Sequence, residues 1–590
     1  MLKKCSVLLR KALVFAVIAG FLIYMFSACV KTPSDDAGKQ GEEGNGKQNE
    51  QQPAESNAKK IDLSKETFKI FVPSGTQTNC NFDNPVAKVI TEKTGVYLEF
   101  EIAVGDPMEK YALMASSGTY PDLIKMSDPR ALEMMIQAGA LVKLDKYIDE
   151  YGPDIKKFYG DLFSRLRYSK EDPSIYTFGS GGIYKNPTPA TYWGDGFHLQ
   201  HGALKALNYP QVKSLEDFEN VIKEYLKMSP KTPEGQKRIG LTLITADGWR
   251  HFISLTNPAN YANGRPDNGE WVVDEKDLSV KIHYKTEGTK EYFRWLNKLY
   301  NDGILDPESF TQNYDTYKSK IASGRVVGLI DGFWQFFQSV YSLRDAGKGE
   351  CTYMSFPVLR DPANMKWMAS QSDGNVNVTG IGITKSCKNP EKIVNFFNYL
   401  ATEEAQILKE WGIENVNYTV VDGKRVRNPK DVEEDMKDST FCGRTGVKLY
   451  ARGEMEWLQY GNGAKDSKGN IIWSEDPQPF IDAYTQFEKD TLAKYGVTNY
   501  VAMFPPFDSM PPRPYGSAGS ASAKSEEAKV AMAKVNEFVL KDIAAAIMGK
   551  TSEFDANWDK FMKHLEDARV DIVEKEISQQ LRDRVELWSK

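Results

Sequence analysis

The chain has 590 residues, of which 41% are hydrophobic, 12% aromatic and 26% charged, with a formal net charge of −6 at pH 7. This length and composition predict a globular protein of two or more lobes, because single hydrophobic cores stop growing at about 250–300 residues. The net negative charge provides no basic field for polyphosphate and argues against nucleic acid as a partner.

The amino terminus has the layout of an export signal. A basic start precedes an apolar run over residues 12–26, and the small residues Ser27 and Ala28 lead into Cys29. The run is shorter than the ~20 residues that a membrane-spanning helix needs, which favours a cleaved signal peptide, residues 1–28, over an uncleaved anchor with an incidental cysteine.

The segment Phe26, Ser27, Ala28, Cys29 resembles the lipobox of bacterial lipoproteins, although that family usually has an aliphatic residue where Phe26 stands. In that family the peptide is cut before the cysteine, whose thiol then carries a diacylglyceryl group. The resemblance implies lipidation at Cys29, including acyl chains such as palmitate. It places the protein on the extracellular face of the cell membrane. The acyl chains would hold it there, because each buried methylene contributes about 0.8 kcal/mol to membrane attachment.

Residues 30–60 contain no aromatic residue, no Leu and no Ile, and are rich in Gly, Gln, Asn, Glu, Lys and Ser. Such a segment buries too little apolar surface to offset the entropy of ordering. We therefore expect residues 29–60 to be a lipidated, disordered tether with a root-mean-square reach of about 30 Å.

The globular part opens with alternating strand and helix patterns. Strands are predicted near residues 68–72, 96–102 and 121–124, and helices over 84–93 and 107–117. This order indicates an α/β lobe with a largely parallel sheet, whose ligands usually bind in the loops at the carboxyl ends of the strands.

A second set of elements predicts another α/β lobe. Ser214 opens a helix with a pattern close to a capping box. Buried strands are predicted over residues 239–244 and 326–330, and each precedes a Trp-bearing polar loop, 247–251 and 331–334.

Two further regions complete the predicted architecture. Residues 379–384 form a predicted strand, followed by a helix capped by Asn389 and beginning at Pro390. From about residue 517 to the end the pattern is mostly helical.

The four cysteines of the globular part stand far apart, and none belongs to a C-x-x-C pair. An exported protein could join them in disulfides, and the sequence alone does not assign bridges. We interpret them as mostly buried free thiols: Cys80, Cys351, Cys387 and Cys442.

Five segments of the globular part carry motifs of one known family. The segment 118–124 reads "G-x-x-P-D-hydrophobic" and 139–145 reads "G-x-L-x-x-L-D", and both resemble successive motifs of the extracellular solute-binding proteins (family 1) of ABC importers. Residues 379–411 are similar to its returning strand and "N-P-E-K…F-x-x-Y-L" helix. Residues 303–310 and 555–569 are similar to segments of long, lipid-anchored members from Gram-positive bacteria.

The resemblance implies a two-lobed α/β fold of the type II periplasmic-binding-protein kind, with hinges near residues 190–196 and 375–379. It also implies capture of an oligosaccharide between the lobes and delivery to ABC permease subunits, by a monomer without a cofactor. The expected division is 1–28 signal peptide, 29–60 tether, 61–192 lobe 1, 193–377 lobe 2, 378–430 a return to lobe 1, and 431–590 a mostly helical region belonging mostly to lobe 2.

A sugar-binding cleft needs aromatic platforms for the C–H faces of the rings and polar groups for the hydroxyls. Four loops supply both aromatic and polar residues, although any single Trp could instead pack in the core. Arg250 could pair with a uronic acid carboxylate or a sulfate in the cleft, or it could form a surface ion pair. The candidate ligand-binding residues are Trp193, Asp195, Asp247, Trp249, Arg250, Asp331, Trp334, Asp373 and Asn375.

No catalytic or metal-binding residues are expected. No G-x-S-x-G elbow occurs, and His198 and His201 lack an H-E-x-x-H context, so we interpret the pair as part of a polar helix face. Two alternatives stay open: a carbohydrate-sensing or surface-adhesion lipoprotein of the same fold, and a glycoside hydrolase using a carboxylate pair.

Overall fold

The computed structural model describes twelve parts of the chain. They are residues 61–73, 82–183, 195–265, 269–363, 376–438, 440–450, 457–461, 464–472, 481–505, 515, 518 and 521–589. The predicted signal peptide, Cys29, the tether and Cys80 lie outside the described residues, as do the candidate site residues Trp193, Asp373 and Asn375.

The strands group into two larger sheets and two hairpins. In chain order they are β1 Glu66–Val72, β2 Val96–Ile102, β3 Leu123–Met126, β4 Thr177–Gly179, β5 Asp195–Gln200, β6 Ile239–Thr242, β7 Trp271–Val273, β8 Val280–Ile282, β9 Val326–Gly332, β10 Tyr353–Phe356, β11 Gly380–Ile383, β12 Tyr418–Val421 and β13 Lys424–Arg427.

The α-helices cover much of the rest of the described chain. They are α1 Pro85–Thr94, α2 Pro107–Ser117, α3 Pro129–Gln137, α4 Asp145–Tyr151, α5 Pro153–Tyr159, α6 His201–Ala206, α7 Leu215–Met228, α8 Pro258–Ala262, α9 Glu287–Asn301, α10 Tyr314–Ala322, α11 Phe333–Asp345, α12 Pro390–Leu400, α13 Glu403–Trp411, α14 Pro429–Lys437, α15 Phe441–Thr445, α16 Gln486–Lys494, α17 Glu526–Phe538, α18 Ala544–Met548, α19 Phe554–Asp567 and α20 Val570–Trp588. Short 3₁₀ or π segments include Gly160–Leu166, Phe252–Thr256, Pro307–Phe310 and Val539–Ile543.

The first lobe is built on a five-stranded sheet with the order β2-β1-β3-β11-β4. Strand β1 is parallel to β2 and β3, whereas β11 is antiparallel to both β3 and β4. A Cβ at Gly380 would lie 2.1 Å from the carbonyl oxygen of Phe178, so the close pairing of β11 with β4 requires glycine there.

The second lobe is built on a four-stranded sheet with the order β10-β5-β9-β6. Strands β6 and β9 are parallel, and β5 is antiparallel to β9 and β10. All seven residues of β9 are buried, which agrees with a central strand covered on both faces.

Each sheet has its own hydrophobic core, and the described residues alternate between the two. The chain contributes to the first core up to Ile183, to the second from Phe197, to the first again from Val376, and to the second again from Tyr484. Buried residues of the described segments 441–450 and 457–458 pack in the first core, and those of 484–500, 515, 518 and 528–581 pack in the second.

Local capping explains several helix starts. The Asn84 side chain accepts from the Ala87 N–H, and Ser214 and Asp217 form the full capping box of α7. Asn389 occupies the N-cap position of α12, but its side-chain amide donates to Glu66 instead of capping the helix.

The carboxyl-terminal helix α20 contacts both lobes. Its first three turns place Val573 and Ile577 in the second core, and Ser578 accepts the N–H of Val280. Near its end, the carbonyl of Trp588 accepts a hydrogen bond from Ser164, in the first lobe.

Candidate functional site

Two Trp-bearing segments lie at one edge of the second sheet. Strands β6 and β9 are parallel, so the loop 243–251 after β6 and the start of helix α11, directly after β9, leave the sheet on the same side. Trp334, predicted in a loop, is the second residue of that helix. Strand β5 begins at this edge too, with Asp195 paired to Gly332. Long-range strand pairing therefore brings together loops that are far apart in sequence.

Trp249 and Trp334 stack on each other at this edge. Their ring centroids are 5.6 Å apart with an interplanar angle of 20°. The side chains are 49% and 37% exposed, although burying a large aromatic ring is favourable. Each ring covers one face of the other, and the exposed part of the pair is an apolar surface that can contact the C–H face of a sugar ring.

Arg250 lies beside this aromatic pair. Its guanidinium carbon is 5.2 Å from the ring centroid of Trp249 and 4.0 Å from that of Tyr314, so it makes cation–π contacts with both. A guanidinium nitrogen lies 3.5 Å from a carboxylate oxygen of Asp247. Arg250 is thus held in place at the rim of the Trp pair.

Asp247 links the loop after β6 to the start of helix α10. Besides its contact with Arg250, its carboxylate accepts the backbone N–H of Tyr314 at 2.8 Å. The hydroxyl of Tyr314 donates to the carbonyl of Gln335 in α11. Burial raises the pKa of Tyr314, so the phenol stays neutral and remains a donor.

Asp331 lies beneath the site, with no exposed surface. Its carboxylate accepts from the Tyr317 hydroxyl at 2.7 Å and from the Gly332 N–H at 2.8 Å. The side-chain amide of Gln335 also donates to it. These bonds fix the junction between β9 and α11, in whose first turn Trp334 lies, and place Asp331 below the exposed surface.

A π-helical segment, Phe252–Thr256, follows the loop that carries Trp249. The hydroxyl of Ser254 accepts the N–H of Ile244 at 2.9 Å and donates to the carbonyl of the same residue at 3.1 Å. One buried side chain therefore closes the ten-residue loop onto the end of β6. Single π turns are frequent at functional sites.

The structure brings five predicted side chains to one region. Trp249, Trp334, Arg250 and Asp247 are grouped at its surface, and Asp331 lies below them. The backbone of Asp195 joins the same edge of the sheet, while Trp193, Asp373 and Asn375 lie outside the described residues.

Sequence reasoning missed three residues of this region. Tyr314 contacts Arg250, Lys318 lies 4.4 Å from the Tyr314 ring centroid, and Tyr317 binds Asp331. Asn313, whose side chain caps α10, was the available signal, because it marks a helix start just before these residues.

The interpretation of His198 and His201 as a polar helix face is wrong. His198 lies in β5 and His201 begins α6, and both are buried. The His198 ring bonds Ser355 and the carbonyl of Asp331, and burial lowers its pKa to about 4, so it is neutral at physiological pH. Both histidines therefore support the sheet from inside.

Three cysteines of the described chain have free thiols. Cys351 and Cys387 are buried and Cys442 is partly buried. Burial raises the pKa of Cys351 to about 11 and that of Cys387 to about 12, which keeps both thiols protonated and unreactive.

Within the described residues, no group of three His, Cys, Asp or Glu side chains is arranged to hold a metal ion. None of the helices in that part of the chain combines the length and the apolar character that crossing a membrane requires. The exposed surface at the Trp pair offers stacking area, one guanidinium and one carboxylate, a combination suited to binding a polar ring compound.

A family model described as "bacterial extracellular solute-binding protein" matches residues 86–437. The fructooligosaccharide ABC transporter substrate-binding protein FusA of Streptococcus pneumoniae is 23% identical over 335 residues, which are 55% of this chain and 58% of FusA. The lipoprotein LipO of Bacillus subtilis is 20% identical over 375 residues, 61% of this chain and 69% of LipO.

Solved structures have the same fold. FusA in complex with kestose superposes with a TM-score of 0.60 at 16% identity, covering 88% of this chain and 99% of that one. An extracellular solute-binding protein from Bifidobacterium longum subsp. infantis gives a TM-score of 0.62 at 14% identity, covering 89% and 99%. The chain has the two-lobed type II periplasmic-binding-protein-like fold and belongs to the bacterial extracellular solute-binding proteins.

Proposed function

We propose that this protein captures an oligosaccharide between its two lobes and delivers it to the permease of an ABC importer. The observation that carries the proposal is the stacked, half-exposed pair Trp249 and Trp334 at the carboxyl ends of parallel strands. Ligands of α/β sheets bind at such ends, and indole faces suit the C–H faces of sugar rings.

The comparisons support the class of ligand. FusA is described as a fructooligosaccharide substrate-binding protein of an ABC transporter, and it has been solved with kestose. Because the identity to FusA is 23%, we assign an oligosaccharide to this chain without naming its sugar.

The mechanism is capture by closure. The Trp pair lies on the second lobe, so a sugar stacked there is reached by the first lobe only when the lobes approach each other. A ligand that contacts both lobes has a higher affinity for the closed form and shifts the population toward it. The closed complex then docks on the permease, which takes the ligand.

Within this proposal the protein is attached to the membrane by a lipid on Cys29, and residues 30–60 let the globular part reach its permease. The sequence layout around Cys29 supports this attachment, as does the similarity to the lipoprotein LipO. We infer that the receptor acts as a monomer and catalyses no reaction.

The geometry favours binding over glycoside hydrolysis at the Trp pair. Hydrolysis needs two carboxyl groups flanking the bond, both able to reach it. Of the two carboxylates described here, Asp331 is buried and bonded to Tyr317, and Asp247 is engaged by Arg250 and by the Tyr314 N–H. A carbohydrate-sensing receptor would use the same site. Deleting the gene of this protein should abolish uptake of the oligosaccharide if the protein feeds an importer, and should leave uptake intact if it only senses the sugar.

Replacing both Trp249 and Trp334 with Ala should abolish oligosaccharide binding while the protein stays folded, because both rings are half-exposed. The measurement is a thermal-shift screen of oligosaccharides against residues 61–590. Wild type should gain about 2.7 kcal/mol of stability at a ligand concentration a hundredfold above its dissociation constant.

Val420→Ala serves as the matched control, since Val420 is 49% exposed, like Trp249, but lies in the β12–β13 hairpin. It should bind ligand as wild type does. An unchanged ligand-induced shift in the double Trp variant would show that these rings are not ligand contacts.

A further inference from the structure

A second possible ligand site lies where helix α20 meets the first lobe. A cavity of about 220 Å³ is bordered by Ser127 and Pro129, which follow β3, and by residues 376–379, which lead into β11. Arg584 and Trp588 of α20 form its other wall. Small-molecule sites usually measure about 300–1,000 Å³, so this cavity suits a single sugar unit or charged group better than a whole chain.

The cavity borders both lobes. Residues 376–379 lead into a strand of the first sheet, whereas α20 is anchored in the second core by Val573, Ile577 and Leu581. A group bound here would contact both lobes beside the strand that connects them. Its binding would therefore depend on how the lobes are arranged.

The lining of the cavity is positively charged. Arg584 contributes a guanidinium, one nitrogen of which donates to the carbonyl of Ala518. The residues that the structure places around the cavity include no Asp or Glu. Ser127, Asn377 and Thr379 add two hydroxyls and an amide that can donate hydrogen bonds. The cavity thus has the charge and the donors that an anion requires.

Trp588 adds an indole ring and a donor. Its Nε1–H is buried and has no hydrogen-bond partner among the residues that the structure describes. The Arg165 guanidinium stacks on the same ring, 4.9 Å from its centroid, which keeps the indole in position. Buried polar groups are normally paired, so a bound acceptor would satisfy this one.

The surroundings of Arg584 also favour an added negative charge. Burial lowers the pKa of Arg584 to about 10. Burial, followed by the nearby Arg584 charge, lowers the pKa of Lys524, whose ammonium lies over the Tyr168 ring. An anion in the cavity would add a favourable Coulomb interaction with the Arg584 guanidinium.

We propose that this cavity binds the anionic group of an acidic oligosaccharide, a uronate carboxylate or a sulfate ester, through Arg584 and Trp588. The inference rests on the proposed function, since it assigns a charge to the ligand that the receptor captures. A carboxylate or sulfate fits the fork of a guanidinium through two parallel hydrogen bonds, which an uncharged hydroxyl cannot form.

The test compares three trisaccharides of equal length by isothermal titration calorimetry with residues 61–590: neutral galactose units, galacturonic acid units and sulfated galactose units. At least one acidic trisaccharide should bind at least tenfold more tightly than the neutral one. This preference should fall as salt rises, since added ions screen the attraction. Tighter binding of the galacturonic acid trisaccharide would indicate a carboxylate ligand, and tighter binding of the sulfated one a sulfate ligand.

Two variants probe the cavity and one serves as control. Arg584→Gln should remove the preference for the acidic compound, and Trp588→Phe, which keeps a ring but lacks the N–H, should reduce it. Arg582→Gln changes an exposed arginine on the same helix that contacts Gln579, and should bind as wild type does. If Arg584→Gln does not fold, Trp588→Phe still decides the role of the cavity.

The outcomes separate the two proposals. Binding of the neutral trisaccharide with an affinity equal to or above that of both acidic ones overturns the inference and leaves the proposed function intact. An acidic preference that survives in Arg584→Gln and Trp588→Phe also overturns it. A folded protein that binds no oligosaccharide of any charge overturns both.

Discussion

At the scale of single residues, the position of Trp334 in the Trp pair depends on the buried carboxylate of Asp331. Asp331 holds the turn that precedes Trp334, and its neighbours Tyr317 and Gln335 come from α10 and α11. The sequence placed Asp331 in the ligand-binding set because acidic and aromatic residues stood close together. Sequence proximity could not tell a residue that contacts ligand from one that supports the turn.

Replacing Tyr317 with Phe should lower the free energy of unfolding by about 1.5–3 kcal/mol, because a buried carboxylate loses a hydrogen bond. Urea denaturation measures the change. Tyr292→Phe is the matched control, since Tyr292 is equally buried and its hydroxyl has no hydrogen-bond partner in the described part of the chain. Equal losses in the two variants would contradict this role for the Asp331 cluster.

At the scale of elements, local patterns predicted most of the strands and helices. The Ser214 capping box, the buried strand β9 and the helix at Pro390 were read from caps and periodicity, and each lies where expected. The strand-to-helix change between Gln200 and His201 was missed, because two histidines three residues apart also fit one helix face.

The loop carrying Trp249 depends on Ser254, whose hydroxyl holds both polar backbone groups of Ile244. Ser254→Ala should cost about 1–3 kcal/mol, since two buried groups are left unpaired. It should also speed hydrogen exchange over residues 244–252, measured by mass spectrometry. Ser342→Ala is the control: this exposed serine donates to the carbonyl of Gln338 within helix α11, and its replacement should leave hydrogen exchange over residues 244–252 unchanged. Unchanged exchange over residues 244–252 in Ser254→Ala would show that other contacts hold the loop.

At the scale of the whole molecule, the sequence predicted two lobes and a hinge from the order of strands and from family resemblance. It could not predict that α20 contacts the first lobe after packing in the second, because no local pattern specifies a contact between residues as distant as Ser164 and Trp588. The division drawn at residue 430 stays a prediction. Buried residues of the described segments 441–450 and 457–458 pack with the first core.

One ion pair between α20 and the first lobe is weak. Lys170 pairs with Glu586 at 2.7 Å, but both side chains are more than two-fifths exposed, and such surface pairs contribute about 0–1 kcal/mol. An interaction of this size does not by itself fix the arrangement of the lobes. The central claim is a shift in population, on ligand binding, from an open to a closed arrangement of the same two lobes.

Small-angle X-ray scattering of residues 61–590 tests that claim most directly. The radius of gyration is measured without ligand and with saturating amounts of an oligosaccharide that raises the melting temperature. We predict that the radius of gyration falls on binding and that the ligand is recovered uncleaved. An unchanged scattering curve at saturation, or cleavage of the oligosaccharide, would contradict the account.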